Sequence, residues 1–594
     1  MKKTWLIIAL SLCVAAADAQ DFVQNVYGRK TTTLAGRWQV LLDQFSRGAR
    51  MGVYENRTPA DKSTFYEYLF SDGSRLNVPG DFNSQRPELW YYESTVWYKR
   101  DFTHDLKPGK RLFLYFGAVN YRCTVYLNGE KLGSHEGGFT PFQFEITDRL
   151  RQGNNFLIVE VNNARSPQAI PAMIYDWWNY GGITRDVLLV ETPETYIDDY
   201  FIRLDRRSPD RILADVALKG VRGPETVTLS IPEAGIERKI ALSADGSARG
   251  VAVPAKKLVR WSPENPKLYE VILASARDTI RERIGFRTVE VKGTEILLNG
   301  KPVFLKGINC HEEIPTGGGR RAYTDADAAF LVDEVLALGC NYLRLTHYPV
   351  GENMVRLAER KGLMMFEEIP QWQDIDYGNE ATNRLARNMM GEMIRRDKNR
   401  CAIIAWSVAN ESRVYPERNE ALIGLVAHTR GLDDTRIVTA VSDKIPYDTL
   451  TSTFYDADPL IPYLDVVCVN RYLGWYQKWL TEPRNVKWNV APDKPFVMTE
   501  FGGEALYGND GPDDVASSWS EPYQAKLYRD HFEMFAGIPN LRGIAPWVLY
   551  DFRSPYRMNG QYQEEWNRKG LVSENGFRKK AWYVVHDYYT KDRK

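Results

Sequence analysis

The chain has 594 residues, 44% of them hydrophobic, and its 77 Lys+Arg exactly offset 77 Asp+Glu. Zero formal net charge gives no electrostatic footprint for nucleic acid or for an anionic membrane surface. The length implies several domains with ample core. The 16 Trp and 34 Tyr suit clefts in which flat rings stack on sugars, although core packing accounts for most of them.

The N-terminus has Lys2 and Lys3, an apolar run over 5–17, and Ala17-Asp18-Ala19, which fits a small-x-small cleavage site. Residues 1–19 therefore read as a secretory signal, and export to the periplasm is expected. The run is shorter than the ~20 apolar residues of a membrane span, and no later segment qualifies. Cys13 would suit a lipid anchor, but the bulky Leu12 before it fits lipidation poorly. Cleavage leaves Cys123, Cys310, Cys340, Cys401 and Cys468. An odd, widely spaced set in mostly apolar runs reads as buried thiols rather than a disulfide framework. There is no CxxC and no close His/Cys cluster, so no metal is expected.

Residues 20–192 are strand-rich, with short apolar or alternating runs at 96–102, 111–119 and 155–161. The run at 124–127 leads into Asn128-Gly129, a two-residue hairpin turn. Residues 193–288 continue with short strands and read as a second, smaller β-sandwich. From 289 to 594 apolar runs alternate with helical stretches. The runs fall at 303–309, 342–346, 363–369, 403–409, 437–441, 466–472, 496–499 and 543–549. Residues 325–338 show helical periodicity with acids in the first turn. Eight such units match a (β/α)8 TIM barrel, whose chemistry lies just beyond the C-terminal ends of its strands.

Two acids stand there with suggestive neighbours. Glu411 ends the fourth run and Glu500 the seventh. About 90 residues separate them, three βα units of roughly 30 residues each, so the two can face each other across the mouth. That permits the ~5–5.5 Å separation of a retaining glycosidase. Such chemistry needs one protonated and one ionised carboxyl, a state that two acids packed closely favour. A strand-end acid alone is more often a rim salt bridge, and Glu367, Glu368 and Asp551 are rivals by position.

The surrounding residues resemble signatures of glycoside hydrolase family 2, most of all its β-glucuronidases. Asn341 to Pro349 (NYLRLTHYP) with Gly362 to Pro370 (GLMMFEEIP) is similar to the family's first signature. Asp397-Lys398-Asn399-Arg400 and Trp406 to Glu411 (WSVANE) resemble the second, and Thr499-Glu500-Phe501-Gly502 resembles the nucleophile segment. The resemblance implies a jelly-roll sandwich over 20–192, an immunoglobulin-like sandwich over 193–288 and the barrel. It makes Glu411 the acid/base and Glu500 the nucleophile, with Asn410 on the sugar 2-hydroxyl and Arg344 and His347 deep in the mouth. Cys401 and Leu345 depart from the signatures, but both lie off the reacting atoms.

Asn567-Arg568-Lys569-Gly570 resembles the Asn-x-Lys motif with which β-glucuronidases recognise the substrate carboxylate. A uronate in a partly dry pocket needs a fixed cation and a neutral donor, which Lys569 and Asn567 supply. Asn470 to Tyr476 (NRYLGWY) resembles the segment whose Asn470, Tyr472 and Tyr476 line the glycone pocket. Asp176 to Ile183 (DWWNYGGI) is similar to a jelly-roll loop that brings an Asp to the barrel mouth, Trp547 falls where an aromatic wall is expected, and His311 joins the candidate substrate contacts. Trp177 and Trp178 fit inter-domain packing as well as sugar contact. The stretch between 369 and 396 is short, which implies a mouth without a covering loop. The longer segment 553–566 lacks the family's Arg close before the motif. A terminal β-glucuronide on a glycan is the expected substrate, with no metal or organic cofactor. A β-galactosidase or β-galacturonidase of the same family and a non-catalytic sugar-binding protein are the rivals. Oligomeric state, homo-oligomer included, is left open.

Overall fold

The computed structural model describes residues 22–591 apart from 62, 65 and 71–73. The expected signal segment and Cys13 lie outside the described residues. Two antiparallel sheets, one of six strands and one of four, make the first unit. Their inner faces follow the period-two rule of a half-buried strand. Leu112, Leu114 and Phe116 from one sheet meet Trp38, Val96, Tyr98 and Val159 from the other. The strands Arg122–Leu127 and Glu130–Glu136 pair as a hairpin across Asn128 (φ 55°) and Gly129 (φ 88°). Positive φ at both turn residues matches the right-handed strand twist.

The second unit packs a three-stranded sheet against a four-stranded one. Its strand Ser208–Lys219 buries Ile212, Ala214, Val216 and Leu218 at alternate positions. A short three-stranded sheet over 289–302 then leads into the closed barrel.

The barrel strands run in order β1 (Leu305–Cys310), β2 (Tyr342–Leu345), β3 (Met364–Glu368), β4 (Ile403–Asn410), β5 (Ile437–Ser442), β6 (Val467–Asn470), β7 (Phe496–Glu500) and β8 (Leu541–Ile544). All eight overlap the apolar runs of the sequence, and they are buried almost throughout, as parallel strands covered on both sides must be. Helices α1 (Asp325–Ala337), α2 (Glu352–Lys361), α3 (Glu380–Asp397), α4 (Pro416–Leu432), α5 (Glu521–Phe535) and α6 (Lys580–Thr590) cover it. The start of α1 is set by a capping box. Thr324 accepts from the Asp327 N–H while Asp327 accepts from the Thr324 N–H, both at 3.0 Å, an arrangement of about 1 kcal/mol.

The alternation of strand and α-helix is broken at one place. Among the described residues no α-helix follows β5 or β6. Short 3-10 turns and a small sheet of Tyr447–Asp448, Thr453–Tyr455 and Lys487–Asn489 stand there instead, with Tyr447, Phe454 and Trp488 packed ring on ring. β6 is also shorter than its apolar run, because Arg471 and Tyr472 leave the ladder to form the rim.

Buried polar links pin the first sandwich to the barrel. Arg185 donates to Glu312 at 2.9 Å and to the Pro349 carbonyl at 2.6 Å, and His135 and Thr140 both meet Glu392 on α3. Removing one partner from such a buried pair costs about 3–5 kcal/mol. This anchoring lets the sandwich loop carrying Asp176 lie over the barrel mouth. The five cysteines of the described residues are free and buried.

Candidate active site

A cavity of about 410 Å³ opens at the C-terminal ends of the barrel strands, and both Glu411 and Glu500 line it. Strand geometry delivers them. Glu500 is the last residue of β7, and Glu411 follows the last residue of β4. Glu411 has φ 52° and Gln373 φ 48°, the left-handed region, which costs a non-glycine residue about 1–3 kcal/mol. The Glu411 N–H is tied to the Val441 carbonyl at 2.8 Å, and the Gln373 N–H to the Asn410 carbonyl at 2.9 Å.

A continuous polar network joins the two acids. Arg344, fully buried on β2, donates to Glu500 at 2.7 Å, to Glu368 at 3.0 Å and to the Asn410 side-chain oxygen at 2.8 Å. The Tyr472 hydroxyl donates to the other Glu500 oxygen at 2.7 Å. Asn470 donates to Asn410 at 3.2 Å and to Glu411 at 2.9 Å, and Gln373 donates to Glu411 at 3.1 Å. The Asn410 side-chain nitrogen is buried with no partner among the described residues. A buried unpaired donor at this place is free to meet an acceptor on a bound molecule.

The two acids sit in different fields. Burial, then the neighbouring Glu500 and Asp443, push the Glu411 carboxyl up to about 7. Burial raises Glu500 as well, but the Arg344 guanidinium and the Tyr472 hydroxyl pull against it. One acid is thus protonated near neutrality, while the other has a cation and a hydroxyl aimed at its oxygens. Two acids in such different surroundings could serve as a proton donor and a nucleophile. Burial lowers His347 despite its 2.7 Å contact with Glu368, so a neutral imidazole faces the cavity.

A second cluster closes another side of the cavity. Lys569, 1% exposed, donates to Glu504 at 3.0 Å and to the Tyr476 hydroxyl at 2.8 Å. Glu504 also accepts from Gln563 at 2.9 Å and from the Arg568 N–H at 3.0 Å. Burial pushes Glu504 up, yet Lys569, Arg557 and these donors hold it below the usual carboxylate range. Arg557 pairs with Asp176, which also accepts from Ser554 and, at 3.2 Å, from Asn567. Two cations and two carboxylates therefore compensate one another within one cluster.

The comparisons with known proteins agree with this architecture. The family model for the glycosyl hydrolases family 2 sugar binding domain matches residues 32–193. That for glycosyl hydrolases family 2 matches 195–287, and that for the family 2 TIM barrel domain matches 289–554. The β-glucuronidase of Rattus norvegicus is 30% identical over 98% of this chain and 95% of its own. The chain belongs to glycoside hydrolase family 2. It is a glycoside hydrolase and is most like the family's β-glucuronidases. Among solved structures, the Ruminococcus gnavus β-glucuronidase in complex with D-glucuronic acid matches with a TM-score of 0.80 at 25% identity, over 94% of this chain and 98% of that one. The Bifidobacterium dentium β-glucuronidase complexed with coumarin-3-O-glucuronide matches with a TM-score of 0.80 at 26% identity, over 95% and 98%.

Within this family 2 hydrolase the candidate residues fall into two layers. Asp176, His347, Asn470, Tyr472, Tyr476, Trp547 and Lys569 line the cavity with the two acids. Arg344, Asn410 and Asn567 stand behind that wall, reaching it through hydrogen bonds. His311, also expected among the substrate contacts, stands with this outer layer. It is absent from the wall and packs behind it, 5.5 Å from the Trp547 ring, 4.3 Å from Phe552 and hydrogen-bonded to the Tyr348 hydroxyl at 3.1 Å. Its strand leaves it under the aromatic layer. Trp177 packs among Tyr175, His347 and Trp372, and Trp178 stacks on Trp90, so packing accounts for both. Of the rival acids, Glu367 pairs with Arg396 at 3.0 Å and Asp551 with Lys579 at 2.8 Å, whereas Glu368 belongs to the same network, held by Arg344 at 3.0 Å and His347 at 2.7 Å.

Several lining or supporting residues escape sequence reasoning: Trp372, Gln373, Asp443, Arg471, Glu504 and Arg557. The strand-end rule reaches Glu504, four residues past Glu500, and Gln373, just past β3. Nothing local marks Arg557. The long segment before Asn567 lacks an arginine close to the motif in sequence, but it folds back and brings Arg557 to the same cluster.

Proposed function

We propose that this chain is an exported, retaining exo-β-glucuronidase acting on terminal β-D-glucuronides of glycans. The observation that carries it is one cavity holding Glu411 and Glu500 together with Lys569 and Arg557. Glu500 attacks the anomeric carbon while Glu411 gives its proton to the glycosidic oxygen. The C1–O bond breaks and the leaving group departs as an alcohol, leaving a glycosyl ester on Glu500. Water then attacks C1, Glu411 takes the water's proton, and Glu500 leaves as a carboxylate. One water is consumed and the anomeric configuration is kept. Asn410 offers its unpaired N–H to the 2-hydroxyl, a contact that strengthens in the oxocarbenium-like transition state. Lys569, with Asn567 behind it, receives the C6 carboxylate. The expected signal at 1–19 supports a periplasmic place of action, and the short stretch between β3 and α3 supports a mouth open to glycans.

A second reading has an observation of its own. Lys569 is already paired with Glu504, so the cluster carries no surplus charge for a uronate. A neutral glycone, as in a β-galactosidase, fits that balance. A panel of 4-nitrophenyl β-glucuronide, β-galacturonide, β-galactoside and β-mannoside decides. The glucuronide should exceed the galactoside in kcat/KM by about 10- to 100-fold, the range of one charge-assisted contact in a dry site. A faster galactoside sinks the glucuronidase reading.

A further inference from the structure

The cavity extends beyond the glycone. A proton donor stands beside the glycosidic oxygen, so the leaving group must occupy the open side of Glu411. Barrel order fixes what lies there. Glu411 follows β4, and its neighbours on the wall come from the ends of β3, β5 and β6: Trp372 and Gln373, Asp443, and Arg471. The Lys569 cluster comes instead from beyond β7 and β8 and from the sandwich loop.

Arg471 is the unusual member of this wall. Every other arginine or lysine of the cavity meets a carboxylate: Arg557 meets Asp176 and Lys569 meets Glu504. Among the described residues Arg471 has no ion pair, and its Nε is buried without a hydrogen-bond partner. Its guanidinium lies 4.8 Å over the Phe454 ring, within the small sheet that replaces the helix after β5. Stacking on a ring holds the charge in place while leaving its donors free. Asp443 on the same wall pairs with Lys444 at 2.6 Å, and its field also reaches Arg471 and favours the charged guanidinium, against the burial that opposes it. A partly dry cation with free donors suits an oxyanion, because such a contact is charge-assisted.

We propose that Arg471 forms the centre of a leaving-group subsite that selects a second sugar bearing an anionic substituent, a sulfate or a carboxylate. Trp372 offers a ring to the apolar face of that sugar, and Asp443 an acceptor to its hydroxyls. This rests on the glucuronidase reading given above, and it narrows the substrate to acidic glycans.

The test compares two disaccharides with β-glucuronate at the non-reducing end and N-acetylhexosamine at the other, identical except for a sulfate on the hexosamine. A third substrate replaces the sulfated unit by a uronate. Wild type should favour both acidic substrates over the neutral one in kcat/KM. Arg471→Ala should lower each acidic-to-neutral ratio by at least about tenfold, the lower range for losing one charge-assisted contact. Arg471→Lys should restore part of it. Because each ratio is taken within one preparation, a loss of folded protein cancels. A fall for the sulfated or the uronate substrate alone identifies which anion the subsite takes. Ratios that stay the same in Arg471→Ala, or a wild type that prefers the neutral disaccharide, overturn the proposal. Should wild type cleave β-galactosides and no glucuronide, the glucuronidase reading has failed. The sulfated and neutral disaccharides are then compared with a galactosyl unit at the non-reducing end, and the same ratio decides the subsite.

Discussion

The catalytic side and the recognition side of the cavity are built in opposite ways. Glu411 and Glu500 stand at the ends of β4 and β7, and Arg344 reaches both sides of their network from β2. Their positions follow from parallel pairing in a closed ring, with little freedom to shift. The recognition side gathers Asp176 from the sandwich loop, Glu504 from the loop after β7, and Arg557, Asn567 and Lys569 from the chain after β8. Almost 400 residues lie between Asp176 and Asn567. On the proposed reading, the reaction is thus set by secondary structure, and the choice of sugar by long-range docking of loops. A family built this way can keep one reaction while changing its sugar.

This contrast can be broken first at Glu500. Glu500→Gln should lower kcat/KM on every accepted β-glycoside by about four orders of magnitude or more, with the fold retained by circular dichroism. A variant keeping a tenth of wild-type activity would remove the catalytic side as described. Next in size is Lys569→Ala, which should cost a uronide about 100-fold in kcat/KM and a neutral glycoside much less. Equal losses on both would mean that Lys569 only supports the loop.

The pH profile sharpens the difference between the two acids. In the proposed reaction Glu411 must be protonated to act, and its carboxyl is raised to about 7. Activity should therefore fall about tenfold per pH unit above that value in the free enzyme. The stability sign runs the same way. A carboxyl raised in the folded state favours folding below its unfolded value, and this contribution is lost as pH rises through about 7. Glu411→Gln should accordingly raise the Tm relative to wild type at pH 8 more than at pH 5. An unchanged difference between the two pH values would deny the raised carboxyl. The smallest effect is expected at Asp176→Asn, which weakens the hold on Arg557. It should cost several-fold to about tenfold on a uronide, mainly in KM.

Much of the scaffold was legible in the sequence because its signals are local. An apolar run of four to eight residues followed by a helix or turn marks a buried parallel strand wherever it lies, so β1 to β8 and the acids at their ends could be placed. The helices expected after β5 and β6 could not be excluded from the apolar runs alone, since a loop packed by Tyr447, Phe454 and Trp488 is hydrophobic too. His311 shows the limit of the strand-end rule. A residue just past a strand can face the cavity or the layer beneath the aromatic wall, and only the packing of Trp547 and Phe552 separates the two.

By itself, then, the sequence determined the order of the sandwiches and barrel, the strand ends and the two acids, because periodicity and turn chemistry act over a few residues. The tertiary structure alone decided that Lys569 is shared with Glu504, that Arg557 joins Asp176, and that Arg471 rests on the Phe454 ring. Those pairings depend on which distant loops meet in one low-dielectric pocket, where each charge must be matched in space rather than along the chain.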